Sequence, residues 1–235
     1  VRLHDLDSAR WRWRAANQPL ADYLAALPRR ARPGVAEAIE RHAILMNRRS
    51  LFGDKVGAHY GIGASVYARF SSPMREIVGI FTHKEALEQL NGPSSAEPTD
   101  GDMILREKIV EAGNRSKSLQ RTLEKEVLQL VLDRLFARDV ELEMEHRPLR
   151  RGIVLGMKPH MLYVRLNEPP VEVKIHFKDL ERSTGVQWRT DAHLVEAQPR
   201  QKSPFKVLWV GSEVVLRVVG HDRKRRRWLL EPAQK

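Results

Sequence analysis

The chain has 235 residues, of which 42% are hydrophobic, and it contains no cysteine. Disulfide bonds, cysteine-ligated zinc and a thiol nucleophile are therefore excluded, which suits a reducing, intracellular compartment, whether cytoplasmic or nuclear. No apolar run reaches the roughly 18 residues that a membrane helix needs, so we expect a soluble protein that does not enter a membrane. The sequence starts at Val1 without a signal-peptide pattern, and we expect it to begin inside a longer protein.

The formal net charge of +11 is concentrated in the last third of the chain. Residues 1–146 hold 22 Lys+Arg and 21 Asp+Glu, whereas residues 147–235 hold 19 and 9, a net charge of +10. A polyanionic partner is the natural interpretation, because each phosphate that a protein neutralises releases condensed counterions. A basic surface that serves only solubility is the alternative.

Helical periodicity dominates the first 140 residues. Apolar residues at helical spacing predict helices over residues 15–27, 35–48 and 103–138. The turn-rich stretch N-G-P-S-S-A-E-P-T-D-G-D, residues 91–102, predicts a loop. The apolar stripe of the last helix consists of Leu119, Leu123, Val127, Leu130, Val131 and Leu135.

The hydrophobic period changes to two after a boundary between Asp139 and Pro148. Short β-rich runs predict strands over residues 152–155, 161–166, 171–177 and 213–219. The sequence H-D-R-K-R-R-R predicts a solvated hairpin tip before a last strand. We therefore expect an α+β protein with two domains, residues 1–140 and 147–235. Five short strands favour a small OB-type barrel for the second domain, which we expect to fold by itself.

The segment 58–90 carries the most specific pattern in the chain, A-H-Y-G-I-G-A-S-V-Y-A-R-F-S-S-P-M-R-E-I-V-G-I-F-T-H-K-E-A-L-E-Q-L. It resembles the signature of the ribonuclease II/R (RNB) family, and most closely the Dis3-like branch, where H-Y-G-L precedes Y-x-x-F-T-S-P-I-R-R. The resemblance implies that residues 1–140 form the mostly helical C-terminal part of an RNB catalytic domain. The matching residues are His59, Tyr60, Gly61, Tyr67, Phe70, Ser72, Pro73, Arg75, His83 and Leu87.

Residues 147–235 are similar to an S1 RNA-binding domain, the OB barrel that commonly ends such ribonucleases. The similarity lies in residues 150–154, 163–166, 176–180 and 218–230. It implies binding of single-stranded RNA, with bases stacked on exposed rings and cations along the phosphates. Tyr163, Arg165 and His176 are the candidate RNA-binding residues, although Tyr163 could instead be a core aromatic and His176 an ordinary strand residue.

The ribonuclease resemblance implies hydrolytic 3′ to 5′ degradation of single-stranded RNA with Mg²⁺. The family's aspartate cluster, D-x-x-x-x-x-D-x-D-D, is absent from this sequence, and Asp5 and Asp7 have the wrong spacing. We therefore expect the Mg²⁺ ligands to lie in the parent protein outside this chain, which alone would be inactive. The implied catalytic residues are Arg75, at the scissile phosphate, and Glu124; the implied RNA contacts are His59, Tyr60, Tyr67, Ser72 and Arg75. Asn114 matches an asparagine expected to cap or orient the last helix.

Three departures weaken the enzyme interpretation. Glu76, Ile77 and Gly79 stand where the family has arginine, tyrosine and aspartate. We expect Glu76 to compete for the Arg75 guanidinium and to repel phosphate. A catalytically inactive RNB-like RNA-binding protein is therefore the alternative to a fragment of an exoribonuclease, and an unrelated helical module joined to an OB barrel is a third possibility. Membership of an RNA-decay complex stays open.

Overall fold

The computed structural model describes residues 4–46, 51–57, 64–70, 76–92 and 99–233. The protein is α+β, and its sheets are antiparallel. The chain divides into two compact units, one formed by Val1–Met46 with Val131–Lys235 and the other by Asn47–Leu130. The first 46 residues thus group with the C-terminal sheet, against which one of their helices packs, rather than with residues 47–130.

Five α-helices precede the sheet in the described part of the chain. They are α1 (Ser8–Trp11), α2 (Leu20–Ala25), α3 (Pro33–Met46), α4 (Ile77–Asn91) and α5 (Asp100–Glu141). The helices predicted over 35–48 and 103–138 are confirmed as α3 and α5. The helix predicted over 15–27 is shorter, because Pro19 is its N-cap residue. Helix α4 was missed, since its Val78 and Gly79 are poor helix formers. Of the predicted loop 91–102, residues 93–98 lie outside the described part.

The larger sheet has five strands, which are β1 (Leu149–Lys158), β2 (Met161–Leu166), β3 (Glu172–His176), β7 (Glu213–Asp222) and β8 (Arg227–Pro232). They lie in the order β3-β2-β1-β7-β8. A smaller sheet, β4-β5-β6, is formed by Trp188–Thr190, Glu196–Pro199 and Leu208–Trp209. The four predicted strands and the hairpin tip are confirmed. The strand predicted to reach residue 177 is wrong at its end, because Phe177 begins helix α6 (Phe177–Thr184), which the alternation did not reveal.

The core of the first unit lies between the inward faces of the sheet and the end of α5. Alternation places Leu162, Val164 and Leu166 inside, each with no exposed surface. Phe136 from α5 is also fully buried and packs edge-on against Trp228, with ring centroids 5.5 Å apart. The last turns of α5 therefore complete the core of the sheet.

Most of the apolar stripe predicted on α5 is exposed in this structure. The exposed fractions of Leu119, Leu123, Val127 and Leu130 lie between 50% and 64%, whereas Leu135 packs against the core. None of the helices in the described residues is long and apolar enough to cross a membrane.

The N-terminal segment of the first unit is held by its own small core and by close backbone packing. Tyr23 donates a hydrogen bond of 2.8 Å to the carbonyl of Trp11. At the start of α3, a Cβ on Gly34 would lie 2.6 Å from the carbonyl oxygen of Gly211, so only glycine allows this approach. Helix α3 is thereby placed beside strand β1 of the larger sheet.

Candidate nucleic-acid interface

The outer face of β2 and β3 brings together the three candidate residues of the C-terminal region. Because side chains alternate along a strand, Tyr163 and Arg165 point away from the core that holds Leu162 and Val164. In the antiparallel register, Lys174 lies opposite Tyr163 and Glu172 lies opposite Arg165. His176 lies opposite Met161, at the end of the face near the β1–β2 turn.

Helix α3 occupies one end of this face. The carboxylate of Glu37 accepts two hydrogen bonds from the Arg165 guanidinium, one of them 2.6 Å from Nη2 to Oε2. The Arg41 guanidinium donates to both oxygens of Glu172, at 2.7 and 3.1 Å, and lies 4.4 Å from the centroid of the Tyr163 ring. Both predicted RNA-binding groups at this end, Tyr163 and Arg165, are thus already paired within the protein.

The other end of the face stays open and is strongly basic. The rings of His160 and His176 are stacked, with centroids 6.4 Å apart and an interplanar angle of 29°. Burial holds the pKa of His176 below its ordinary value, and the positive charge of Arg227 lowers it further. A cation-rich environment of this kind favours anionic ligands.

A buried carboxylate organises the neighbouring arginines. Asp179 in α6 is 6% exposed and accepts a hydrogen bond of 2.8 Å from Arg227. Guanidinium groups of Arg182 and Arg225 lie 3.7 and 3.8 Å from the same carboxylate. Asp222 lies 3.5 Å from Arg225 as well, so two negative charges face three positive ones, which leaves a local excess of positive charge.

Exposed cations extend this region along β3, α6 and the β7–β8 turn. In the turn, Asp222 accepts a hydrogen bond of 3.1 Å from the backbone of Arg225, which lowers the pKa of its carboxyl group. The predicted solvated tip is therefore partly anchored, since Arg227 is bound to Asp179. We call the set the basic surface; it consists of His160, Lys174, His176, Lys178, Arg182 and residues 223–227.

Several residues of the ribonuclease-like signature lie outside the described residues, namely His59, Tyr60, Ser72 and Arg75. Of the rest, Tyr67 is 46% exposed. His83 of α4 contacts Phe70 through a 3.1 Å hydrogen bond to its carbonyl and an edge-on ring contact of 5.0 Å. The structure thus joins two signature positions that are 13 residues apart.

Glu76, the residue expected to compete for Arg75, has a different partner in the described part of the chain. Its carboxylate accepts a hydrogen bond of 2.8 Å from Nη2 of Arg69, whose Nε lies 2.7 Å from the other oxygen. The charge that replaces the family's second arginine is therefore compensated by Arg69. This reduces the repulsion that Glu76 would otherwise exert on a phosphate nearby.

Glu124 and Asn114 both lie on α5. Glu124 is exposed and accepts a hydrogen bond of 2.9 Å from Gln120, one turn earlier. Asn114 lies in the middle of the helix, so the expected capping role is wrong. Its side-chain amide instead holds the backbone of Phe52, accepting from the amide at 2.9 Å and donating to the carbonyl at 3.0 Å.

A cavity of about 310 Å³ beside Phe52 was not expected from the sequence. Its lining includes Glu76, Gly113 and Lys117. Lys117 lies 3.5 Å from the centroid of the Phe52 ring, and burial lowers the pKa of its ammonium group. A Cβ on Gly113 would lie 2.7 Å from a side-chain methyl of Val78, so a larger residue there would displace the neighbouring side chains of the cavity wall.

The described residues offer a single trio of carboxylates close enough to share a metal ion, Glu85, Glu88 and Asp102. The ammonium nitrogen of Lys84 lies 3.3, 2.6 and 3.2 Å from them and occupies the position of a cation. The hydrogen bond to Glu88 is the main cause that raises the pKa of Lys84. Asp7 caps α1 by accepting from the amide of Ala9. Neither the trio of carboxylates nor Asp7 therefore fits the Mg²⁺ site that the ribonuclease resemblance implies.

Together, these features define an α+β protein with a basic candidate interface for nucleic acid. No protein-family model matches the chain, and no curated protein matches it. Its fold is similar to that of solved Mycoplasma genitalium RNase R: TM-score 0.70 for the apo form, 0.68 for the complex with ribose-methylated single-stranded RNA and 0.55 for the complex with double-stranded RNA, each at 14% identity. Each match covers 94% of this chain but 32–33% of the ribonuclease, so the chain spans about a third of its length.

Proposed function

We propose that this chain is part of a 3′ to 5′ exoribonuclease that hydrolyses single-stranded RNA, and that it supplies the C-terminal part of the RNB catalytic domain followed by an S1 domain. The observation that carries the proposal is the coincidence of two independent signals. The signature around Ser72 and Arg75 resembles the ribonuclease II/R family, and the fold of 94% of the chain is similar to RNase R. The proposal of a Dis3-like origin rests only on the residues of this signature.

The sheet order supports an S1-type OB barrel in the C-terminal part. Strand β1 lies at the centre, with β2 and β3 on one side and β7 and β8 on the other. Helix α6 follows β3, and the smaller sheet and the loops around it separate α6 from β7. An OB barrel is a five-stranded Greek-key barrel, and here β7 returns to pair with β1 in the same way, so the smaller sheet would be an insertion.

In this proposal, the roles of residues follow the family resemblance. Arg75 presents a two-pronged donor to the scissile phosphate and stabilises the charge that develops there. Glu124 is the second catalytic residue that the resemblance implies, and His59, Tyr60, Tyr67 and Ser72 contact the RNA. When bound in the parent, Mg²⁺ would activate water, and its ligands would lie outside this chain.

The test compares this 235-residue chain with the parent protein that contains it. Incubated with 3′-labelled oligoribonucleotide and Mg²⁺, the chain alone should bind RNA without cleaving it, whereas the parent should release mononucleotides. Steady, EDTA-sensitive cleavage by the chain alone would show that the metal ligands are within it. A parent that binds RNA and never cleaves it would support the second function below.

A catalytically inactive RNA-binding protein is the second candidate, and the R-E-I-V-G sequence favours it. Glu76 replaces a cationic residue of the signature and pairs with Arg69, so that a positive charge at this point is lost. The aspartates in the remainder of the parent sequence discriminate between the two candidates. Intact aspartates support the enzyme, and their loss supports an RNA-binding role.

A further inference from the structure

We propose that helix α3 divides the outer face of β2 and β3 into a closed half and an open half, and that RNA crosses only the open half on its way to the β7–β8 turn. The closed half holds Tyr163, Arg165 and Glu172. The open half holds Lys174 and His176 of β3 and continues into the rest of the basic surface on α6 and the β7–β8 turn. The inference rests on the proposed function, in which this chain binds RNA, and it specifies the path of the RNA across the surface.

The closed half is occupied by protein side chains that make the contacts a phosphate and a base of RNA would make there. The Glu37 carboxylate accepts from the Arg165 guanidinium as a phosphate would, and the Arg41 guanidinium lies over the Tyr163 ring, where a base would stack. Glu37 and Arg41 are one helical turn apart on α3, so a single helix face provides both contacts.

An incoming strand would have to displace partners that belong to the same chain. Because Gly34 packs directly on the Gly211 carbonyl, α3 lies against the sheet with Glu37 hydrogen-bonded to Arg165. Tethered groups compete at an effective concentration in the millimolar range or above. Free phosphate groups of RNA therefore gain little at Arg165.

In the described part of the open half, two carboxylates face three guanidinium groups, so the group keeps a positive charge. Asp179 is shared by Arg182, Arg225 and Arg227, and Asp222 lies 3.5 Å from Arg225. Lys174, Lys178, Arg223 and Lys224 are exposed around it. The stacked rings of His160 and His176 add flat surfaces at the edge of these cations. Rings beside cations are the arrangement that single-stranded nucleic acid needs.

The test measures binding of a fluorescently labelled oligouridylate to the full chain by anisotropy over a range of salt concentrations. One variant neutralises the open half: Lys174→Gln, Lys178→Gln, Arg223→Gln and Lys224→Gln. The matched control removes the same charge from exposed positions on or near the smaller sheet: Arg189→Gln, Arg200→Gln, Lys202→Gln and Lys206→Gln. A third variant, Arg165→Gln, removes the cation of the closed half. Circular dichroism and thermal unfolding verify that each variant folds.

We expect the open-half variant to bind at least roughly tenfold more weakly at low salt, with a salt slope smaller by about 0.7 for each phosphate that the variant no longer neutralises. The affinities of the control and of Arg165→Gln should remain within about threefold of that of the original chain.

Equal reductions in the affinity of the open-half variant and of the control would show that only net charge matters and would overturn the inference. A reduction with Arg165→Gln as large as that of the open-half variant would overturn it too, since RNA would then reach the closed half. If the original chain itself fails to bind at low salt, the proposed function falls together with the inference.

Discussion

Asp139, in the last turn of α5, accepts two hydrogen bonds of 2.8 Å from the guanidinium of Arg150 on β1. The side chain of Asp139 is 5% exposed and that of Arg150 is 14% exposed. This ion pair fastens the end of α5 to the first strand of the sheet. Removing either partner leaves a buried charge without compensation.

We therefore expect Arg150→Ala to destabilise the first unit by about 3 to 5 kcal/mol. Urea unfolding followed by circular dichroism measures the change. Arg10→Ala is the control, because Arg10 forms an exposed pair with Asp7 whose loss should have little effect. An Arg150→Ala variant that is as stable as the control would show that the ion pair does not hold α5 to the sheet.

A segment of residues 147–235 should fold poorly, contrary to the expectation from its strand pattern. It lacks Phe136, which is fully buried among the strands, and Asp133, whose carboxylate accepts a hydrogen bond of 2.7 Å from the Trp228 indole. Loss of a buried phenylalanine side chain costs about 3 to 5 kcal/mol. Comparing thermal unfolding of segments 131–235 and 147–235 tests this. Equal melting temperatures would show that α5 is dispensable.

His176 should make RNA binding depend on pH. Its pKa is lowered by burial and by the charges of Arg227, His160 and Lys174, which Asp179 opposes in part. A nearby phosphate favours the protonated ring, so RNA should raise this pKa, and affinity should increase as pH falls from about 7.5 to 5.5. Without RNA, the depressed pKa means that stability falls as pH decreases below the unfolded value of about 6.5.

The measurement is a proton NMR titration of the histidine ring signals with and without oligouridylate, beside binding curves at each pH. His176→Gln should remove most of the pH dependence of binding, and His193→Gln, on the exposed loop before β5, is the control. An unchanged His176 midpoint in the presence of saturating RNA would place the RNA away from this ring.

In an active parent protein, Arg75→Ala should lower turnover far more than RNA affinity. Many contacts hold the strand, whereas a donor directed at the charge of the transition state contributes about 3 to 4 kcal/mol. Arg75→Lys should recover only part of the rate, since an ammonium group cannot reproduce the two-pronged contact. Single-turnover cleavage rates and dissociation constants separate the two effects. A collapse of affinity at an unchanged bound-state rate would make Arg75 a binding residue.

Sequence by itself determined the features that arise from local patterns. Strict alternation in V-E-V-K-I-H-F located β3, because the side-chain period of a strand requires it. Helical spacing located α3 and α5, and the charge count located the basic third of the chain. The ribonuclease-like signature around Arg75 predicted a relation to RNase R, whose fold this chain resembles.

Tertiary structure alone decided which of the predicted side chains are available to bind RNA. Tyr163, Arg165 and His176 lie on one face, as the strands predict, but Glu37 and Arg41 cover the first two from 128 and 122 residues away in sequence. No periodicity connects positions so far apart, because the pairing depends on α3 lying beside the sheet at Gly34 and Gly211. The same holds for Glu76, whose charge is directed toward Arg69 by the local fold. Residue type determined the chemistry of each side chain, and packing determined which partner each one meets.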